Sequence, residues 1–164
     1  MALLTRLAVS VPVLLLLAGV VTREADAQSL GGSLEYQVKA AYLLNFTRYV
    51  SWPEPAFESP TAPIHICVLG RTDPFGGALD QAVAGRASRG RPVLVERKAT
   101  VAEARYCPVV FVSREAWRQY PGVIDGLRGH GVLTVGESEE FAQRGGIIAF
   151  VIRDDHVRFV VNLD

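Results

Sequence analysis

Hydrophobic positions along the chain fall into three regimes: one long apolar run, one helical stripe, and a series of short blocks set apart by glycine and proline. The stripe covers Leu34 to Val50. Tyr36, Ala40, Leu43 and Val50 keep a 3.6-residue period there, and Ala41, Leu44 and Phe46 widen the apolar face. Glu35 and Lys39 form a favourable i,i+4 pair near its start. Pro53 disfavours helical backbone at Trp52, so the helix is predicted to end there or just before. A helix this apolar must be covered on more than one side, either between a sheet and another element or against a second subunit. Gln28 to Ser33, just before it, reads as a short flexible stretch.

Glu54 to Pro63, with Pro55, Pro60 and Pro63, reads as an irregular connector. The short blocks that follow predict strands at Ile64 to Leu69, Pro92 to Glu96, Pro108 to Val112 and Gly131 to Val135. Asp73-Pro74 predicts a cap and a first helical residue, opening a helix through about Ala84. Glu115 to Tyr120 and Val123 to Arg128 read as short helices divided by Pro121-Gly122. Glu139 to Arg144 reads as another, capped by Ser138 and with acids in its first turn. Ile147 to Arg153 and Val157 to Leu163, joined by Asp154-Asp155, carry a hairpin signal. In the second of these strands Val157, Phe159 and Val161 alternate with Arg158 and Asn162, so one face packs and the other is partly wet. Strands apolar on successive positions and separated by helices predict parallel strands buried on both faces. The expected fold is therefore α/β: a mixed, largely parallel sheet flanked by helices on both faces, with a C-terminal antiparallel hairpin.

The long run, Leu7 to Val21, changes the picture at the amino end. Arg6 precedes it, and Ala25-Asp26-Ala27 gives the small-x-small pattern cut by a signal peptidase, so residues 1–27 read as an export signal and Gln28 as the mature terminus. A membrane anchor is the competing reading. A spanning helix needs roughly 20 apolar residues, and this run is interrupted by Ser10 and Pro12 and stops at Thr22-Arg23. No cysteine stands near the cleavage point to carry a lipid. What remains, residues 28–164, suits one domain with one core.

The chain has zero formal charge, and residues 1–27 contain as many basic as acidic groups, so the mature part is also neutral. That argues against a nucleic-acid partner, which calls for a basic face. The local basic run, Arg86, Arg89 and Arg91 with Arg97 and Lys98, reads as a solvated turn and strand edge. His65, His130 and His156 lack ligand spacing, and the cysteines form no CxxC, so no metal or other cofactor is expected. There is no GxSxG elbow. Glu139-Glu140 and Asp154-Asp155 are neighbours that point apart, so neither is an acid–base pair. An enzyme is not expected.

The two cysteines, Cys67 and Cys107, are compatible with one bridge in an oxidising compartment, with a free Cys107 thiolate as the alternative. A bridge requires Cα atoms within about 7 Å, hence neighbouring strands in register. Closing a loop of about forty residues would contribute roughly 4 kcal/mol.

Tyr42-Leu43-Leu44-Asn45-Phe46-Thr47-Arg48-Tyr49-Val50-Ser51-Trp52-Pro53 resembles the opening signature of the YfiR-like proteins. The likeness continues in order through Ile66 to Gly70, Cys107 to Ser113, Phe141 to Phe150 and Val157 to Leu163. The resemblance implies a periplasmic regulator that binds the periplasmic part of an inner-membrane diguanylate cyclase and holds it inactive. An outer-membrane lipoprotein would relieve the repression by sequestering the regulator, and biofilm growth would follow the cyclic di-GMP output. It further implies a homodimer and intramolecular disulfides. Cys67 and Cys107 match one family pair, and a second pair has no counterpart here. Family proteins usually continue past the last strand with an apolar helix, whereas this chain stops at Asp164, so the expectation is either a hairpin that lacks a cover on one face or a truncated sequence.

A protein acting by binding needs apolar and aromatic groups that a monomer covers poorly. Tyr42, Phe46, Tyr49 and Trp52 are the first candidates, with Arg48 and Tyr49 suited to a rim contact and Trp117 and Tyr120 second; ordinary core packing is the alternative for each aromatic. Two other function classes compete. A small-molecule sensor would use the carboxyl ends of the strands at Gly70, Arg71, Asp73 and Ser113. A structural envelope protein would associate persistently without affecting nucleotide signalling.

Overall fold

The computed structural model describes residues 21–53 and 56–163, with side chains from Leu34 onward. The chain divides into a unit ending at Leu34 and a second, Glu35–Asp164, which holds all the strands. The expected export signal lies almost entirely outside the described residues. In chain order the elements are α1 (Val21–Tyr49), β1 (Ile64–Leu69), α2 (Ala78–Val83), β2 (Ala87–Ser88), β3 (Arg91–Lys98) and α3 (Val101–Ala104). They continue with β4 (Val109–Val112), α4 (Arg114–Gln119), α5 (Val123–Leu127), β5 (Leu133–Gly136), α6 (Glu139–Gln143), β6 (Ile148–Arg153) and β7 (His156–Val161).

The seven strands form one sheet in the order β2-β3-β1-β4-β5-β6-β7. The five from β3 to β6 run parallel, while β2 and β7 close the two ends antiparallel. The expected mixed, largely parallel architecture with a terminal hairpin is thus the observed one. Alternation along each buried strand feeds two cores. Ile64, Ile66, Val68, Val109, Phe111, Val135 and Phe150 face α1 and α2. Cys67, Leu69, Val110, Val112 and Ala149 face the other side, where Ala104, Ala116, Leu127 and Phe141 come from α3, α4, α5 and α6.

Three local expectations need correction. Gln28 to Ser33 is helical rather than flexible, because α1 begins at Val21; the helix formers of the preceding stretch outweigh Gly31-Gly32. The helix expected from Asp73-Pro74 begins only at Ala78, since Gly76 and Gly77 adopt φ of 54° and 91° and interrupt it. Asp73 instead closes a turn by accepting from the Phe75 N–H at 2.8 Å. The basic run is not simply solvated. Arg89 donates to the Arg48 carbonyl and, at 2.9 Å, to Ser51, and Arg91 lies 3.9 Å from the Phe57 ring centre while donating to the Ser59 and Ala62 carbonyls. Arg97 forks between Asp73 and Asp80. Two elements went unforeseen: the two-residue β2, and α3, a single turn held by a Thr100–Glu103 capping box.

Phe141 owes its place to two glycines. A Cβ on Gly136 would lie 2.3 Å from its ring and one on Gly146 2.1 Å, so only glycine lets the ring settle between β5 and β6. Its outer side then meets Trp117 edge-on, with centroids 5.3 Å apart.

Because β1 and β4 are adjacent, the cysteines meet: Cys67 and Cys107 form a disulfide with Cα atoms 6.1 Å apart. At a sequence separation of 40, the lost loop entropy of the unfolded chain contributes roughly 4 kcal/mol. Reducing the bridge is expected to lower the urea-unfolding free energy by about that amount; coincident curves for oxidised and reduced protein would show that it contributes nothing.

Candidate interaction surface

The amino-terminal part of α1 within the folded unit is fixed by charge. Lys39 sits one turn from Tyr36 and one from Leu43, on the apolar stripe, and is only 2% exposed. Its ammonium contacts Glu35 on its own helix and, at 2.5 Å, Oε1 of Glu137, the residue that follows β5. Glu137 is equally buried, and its remaining capacity is filled. Tyr36 donates its hydroxyl to Oε1 at 2.9 Å, and the Arg114 backbone N–H donates to Oε2 at 2.9 Å. The Lys39 ammonium also lies 4.5 Å from the Tyr36 ring centre. Burial, and then the Glu137 carboxylate, push the Tyr36 phenol well above its usual range, so it remains a donor. This cluster joins α1 to the loops after β4 and β5. Sequence reasoning saw only the Glu35–Lys39 pair; Lys39 falling on the apolar stripe was a legible signal, whereas nothing local marks Glu137.

The carboxyl end of α1 is held differently. The Trp52 indole N–H donates to the Pro108 carbonyl at 3.1 Å, and Arg89 clasps the Arg48 carbonyl and Ser51. Between these two anchorages the seven proposed contact residues separate. Phe46 is core, stacked near Phe150 and edge-on to Phe159. Trp52, Trp117 and Tyr120 are half-buried and engaged internally, Tyr120 through a 2.6 Å hydrogen bond to the Ala99 carbonyl. Tyr42 is half-buried against Phe46, Phe150 and Phe159. Arg48 and Tyr49 project outward, and Tyr49 is 83% exposed.

The crevice at the carboxyl ends of β1 and β4 is where the sheet order reverses, the usual ligand position in such sheets. Here the chain fills it with its own groups. Phe75 is buried edge-on to Tyr36 and Phe111, and Thr72 donates to Glu115 across the gap. Both Asp73 oxygens are engaged, by the Phe75 N–H and Arg97, and Ser113 caps α4 by accepting from the Ala116 N–H. Gly70 has φ of 123° at the strand end, and Arg71 is exposed beside it. A larger cleft, about 650 Å³, lies at the opposite end of the strands between α5 and α6, with Ile124, Leu127, Arg128 and Arg144 among its walls. Among the described residues no group of three His, Cys, Asp or Glu converges, and no helix is long and apolar enough to cross a membrane.

A family profile described as YfiR/HmsC-like matches residues 36–164. The chain belongs to that family. No curated protein matches the chain. YfiR/HmsC-like membership implies a periplasmic regulator of diguanylate cyclase signalling, a regulatory rather than a catalytic family. For a YfiR/HmsC-like domain, the geometry offers a rigidly mounted helix with an outward tyrosine and arginine.

Removing one member of a buried pair strands the other. Lys39→Met is expected to cost about 3–5 kcal/mol in urea unfolding, and Lys39→Met with Glu137→Gln distinctly less, because no charge is then left buried alone. Equal losses in the two proteins would show that the ion pair is not what holds α1. The Tyr36 phenol, raised in the folded state, contributes stability that is complete below its unfolded value of about pH 10 and is lost as pH climbs through the folded value. Ultraviolet titration is expected to show a late tyrosine step above the usual phenol range, which Tyr36→Phe removes.

Proposed function

We propose that the chain is exported, with residues 1–27 removed as a leader, and that its folded domain binds the periplasmic part of an inner-membrane diguanylate cyclase and holds the enzyme inactive. The last turn of α1 is the centre of the contact, with Tyr49 as anchor, Arg48 beside it and Tyr42 at the margin. Family membership supports the class of partner. The observation that carries the choice of surface is Tyr49, 83% exposed on a helix held at Lys39 and again just past its carboxyl end. An exposed aromatic beside an arginine is the pairing that dominates binding energies, and a rigid mount leaves little freedom to lose. Capture of the same surface by an outer-membrane lipoprotein would release the cyclase. In the crevice around Gly70, Arg71, Asp73 and Ser113 the polar groups of Asp73 and Ser113 are engaged by the chain itself, which favours protein binding over small-molecule sensing there.

Calorimetry between the purified cyclase periplasmic domain and wild-type, Tyr49→Glu or Arg48→Glu protein tests the reading. A loss of about 2 kcal/mol, or about 30-fold in affinity, is expected for Tyr49→Glu, with the thermal midpoint unchanged and cellular cyclic di-GMP raised. Two folded variants with wild-type affinity would refute this surface.

A further inference from the structure

Zero net charge conceals an uneven distribution. Lys39, Arg97, Lys98, Arg128, Arg144 and Arg153 each lie within ion-pair distance of a carboxylate. Five arginines that pair with no carboxylate among the described residues gather at one end of the domain, at the amino ends of β3 and β4. Arg89 stands in the turn between β2 and β3, Arg91 opens β3, and Arg86 precedes β2. Arg48 lies in the last turn of α1 and Arg105 just ahead of β4. The acceptors that hold them are neutral. Arg89 donates to a carbonyl and a hydroxyl, and Arg91 to two carbonyls. Arg105 donates to the Tyr106 hydroxyl at 2.7 Å, with its guanidinium 4.9 Å from that ring centre. Such partners fix a guanidinium without cancelling its charge.

The residues between these arginines tie them into one surface. Arg89 reaches Ser51, Trp52 donates to the Pro108 carbonyl and meets Phe57 edge-on, and Arg91 lies over the Phe57 ring. Phe57, Tyr106 and Pro108 then line a hollow of about 260 Å³. Two carboxylates share its wall. Glu96 is engaged by His65 and Lys98, which leaves Glu58 as the acid there without an ion-pair partner. Two tyrosines flank this end, Tyr49 at 83% and Tyr106 at 73% exposure.

We infer that the partner surface met by the last turn of α1 is acidic, with carboxylates facing these arginines around an apolar or aromatic side chain seated in the hollow beside Tyr106. The inference rests on the cyclase reading and adds to it the chemistry of the segment that is bound. A guanidinium offers a planar fork that matches a carboxylate at two points, and here no carboxylate of the chain has to be displaced first. Exposed charges act together over about 10 Å at ordinary ionic strength, so an approaching acidic patch feels the arginines as a group. That raises the rate of encounter and turns the partner toward Tyr49 before any contact is made. The relief of the surface separates a folded partner from a lipid bilayer, the other anionic surface available to an exported protein. A side chain projecting from a protein fills the hollow, whereas a flat layer of headgroups bridges over it.

Stopped-flow association with the purified cyclase periplasmic domain reads the outcome. Raising salt from about 0.05 M to about 0.3 M is expected to slow wild-type association about tenfold, with dissociation little changed. Arg86→Glu, at an exposed position, and Arg105→Gln are each expected to lower the low-salt association rate about threefold or more and to flatten its salt dependence. Thermal midpoints confirm that both variants are folded. Arg158→Glu reverses an exposed arginine on β7, away from this end, and is expected to change neither rate. Association that ignores salt and both variants, while Tyr49→Glu still abolishes binding, overturns the acidic partner and leaves the docking surface in place. A wild-type protein that does not bind the cyclase domain at all overturns the reading beneath it, and this inference with it. Co-sedimentation with vesicles of phosphatidylglycerol and phosphatidylethanolamine supplies the last arm. If Arg86→Glu and Arg105→Gln release the protein from vesicles and leave its association with the cyclase domain unchanged, the arginines serve a lipid surface and the inference is wrong.

Discussion

Lys39 brings an ammonium group into the interior on the same stripe that carries Tyr36, Ala40 and Leu43, and Glu137 meets it from the carboxyl end of β5. Taking both charges out of water is expensive, and a buried pair is sustained only when every remaining lone pair and proton is matched. Here Tyr36, Glu35 and the Arg114 amide supply the matches. The arrangement is weak evidence for added stability but strong evidence for register, because few placements of α1 over the sheet would satisfy all five groups. Purely apolar helix packing would leave α1 free to slide by a turn. The aromatic contacts of Tyr42 and Phe46 with Phe150 and Phe159 follow from the placement the charges impose.

The second constraint is topological. The chain lays β1 down, adds β3 on one side, and returns to place β4 on the other, so two central strands become neighbours across a long connection. The Cys67–Cys107 bridge spans that return and closes the one place where the sheet order reverses. In many sheets of this kind the reversal leaves a ligand crevice. Here Phe75, and the link between Thr72 and Glu115, occupy it.

Much of this architecture is legible in the sequence. Blocks such as Ile64 to Leu69 and Val109 to Val112, apolar on both faces, can only be central strands, and Asp154-Asp155 between two alternating runs specifies a tight hairpin; both aspartates indeed take positive φ. Boundaries were less legible where backbone conformation overrode composition, as at Gly76-Gly77, where a good capping pair did not start a helix. The site was harder to read. Glu137 and Lys39 are 98 positions apart and only the fold brings them together. The arginines at 89, 91 and 97 look like an ordinary soluble turn until their distant partners are known. Trp52 and Tyr120 could be told from exposed aromatics only by finding the carbonyls they donate to.

The clasp at the end of α1 has a kinetic meaning. Arg89, reaching from the turn between β2 and β3, holds the Arg48 carbonyl and the Ser51 hydroxyl, while Trp52 is tied to Pro108. A helix end normally frays, and a partner arriving there would have to wait for the last turn to wind. With its exit lashed to the sheet at two points, this one presents a finished shape at first collision. Were a partner captured at this end, as proposed, capture would be governed by diffusion and orientation, and the lifetime of the complex, more than the speed of its formation, would be the quantity that most single substitutions tune.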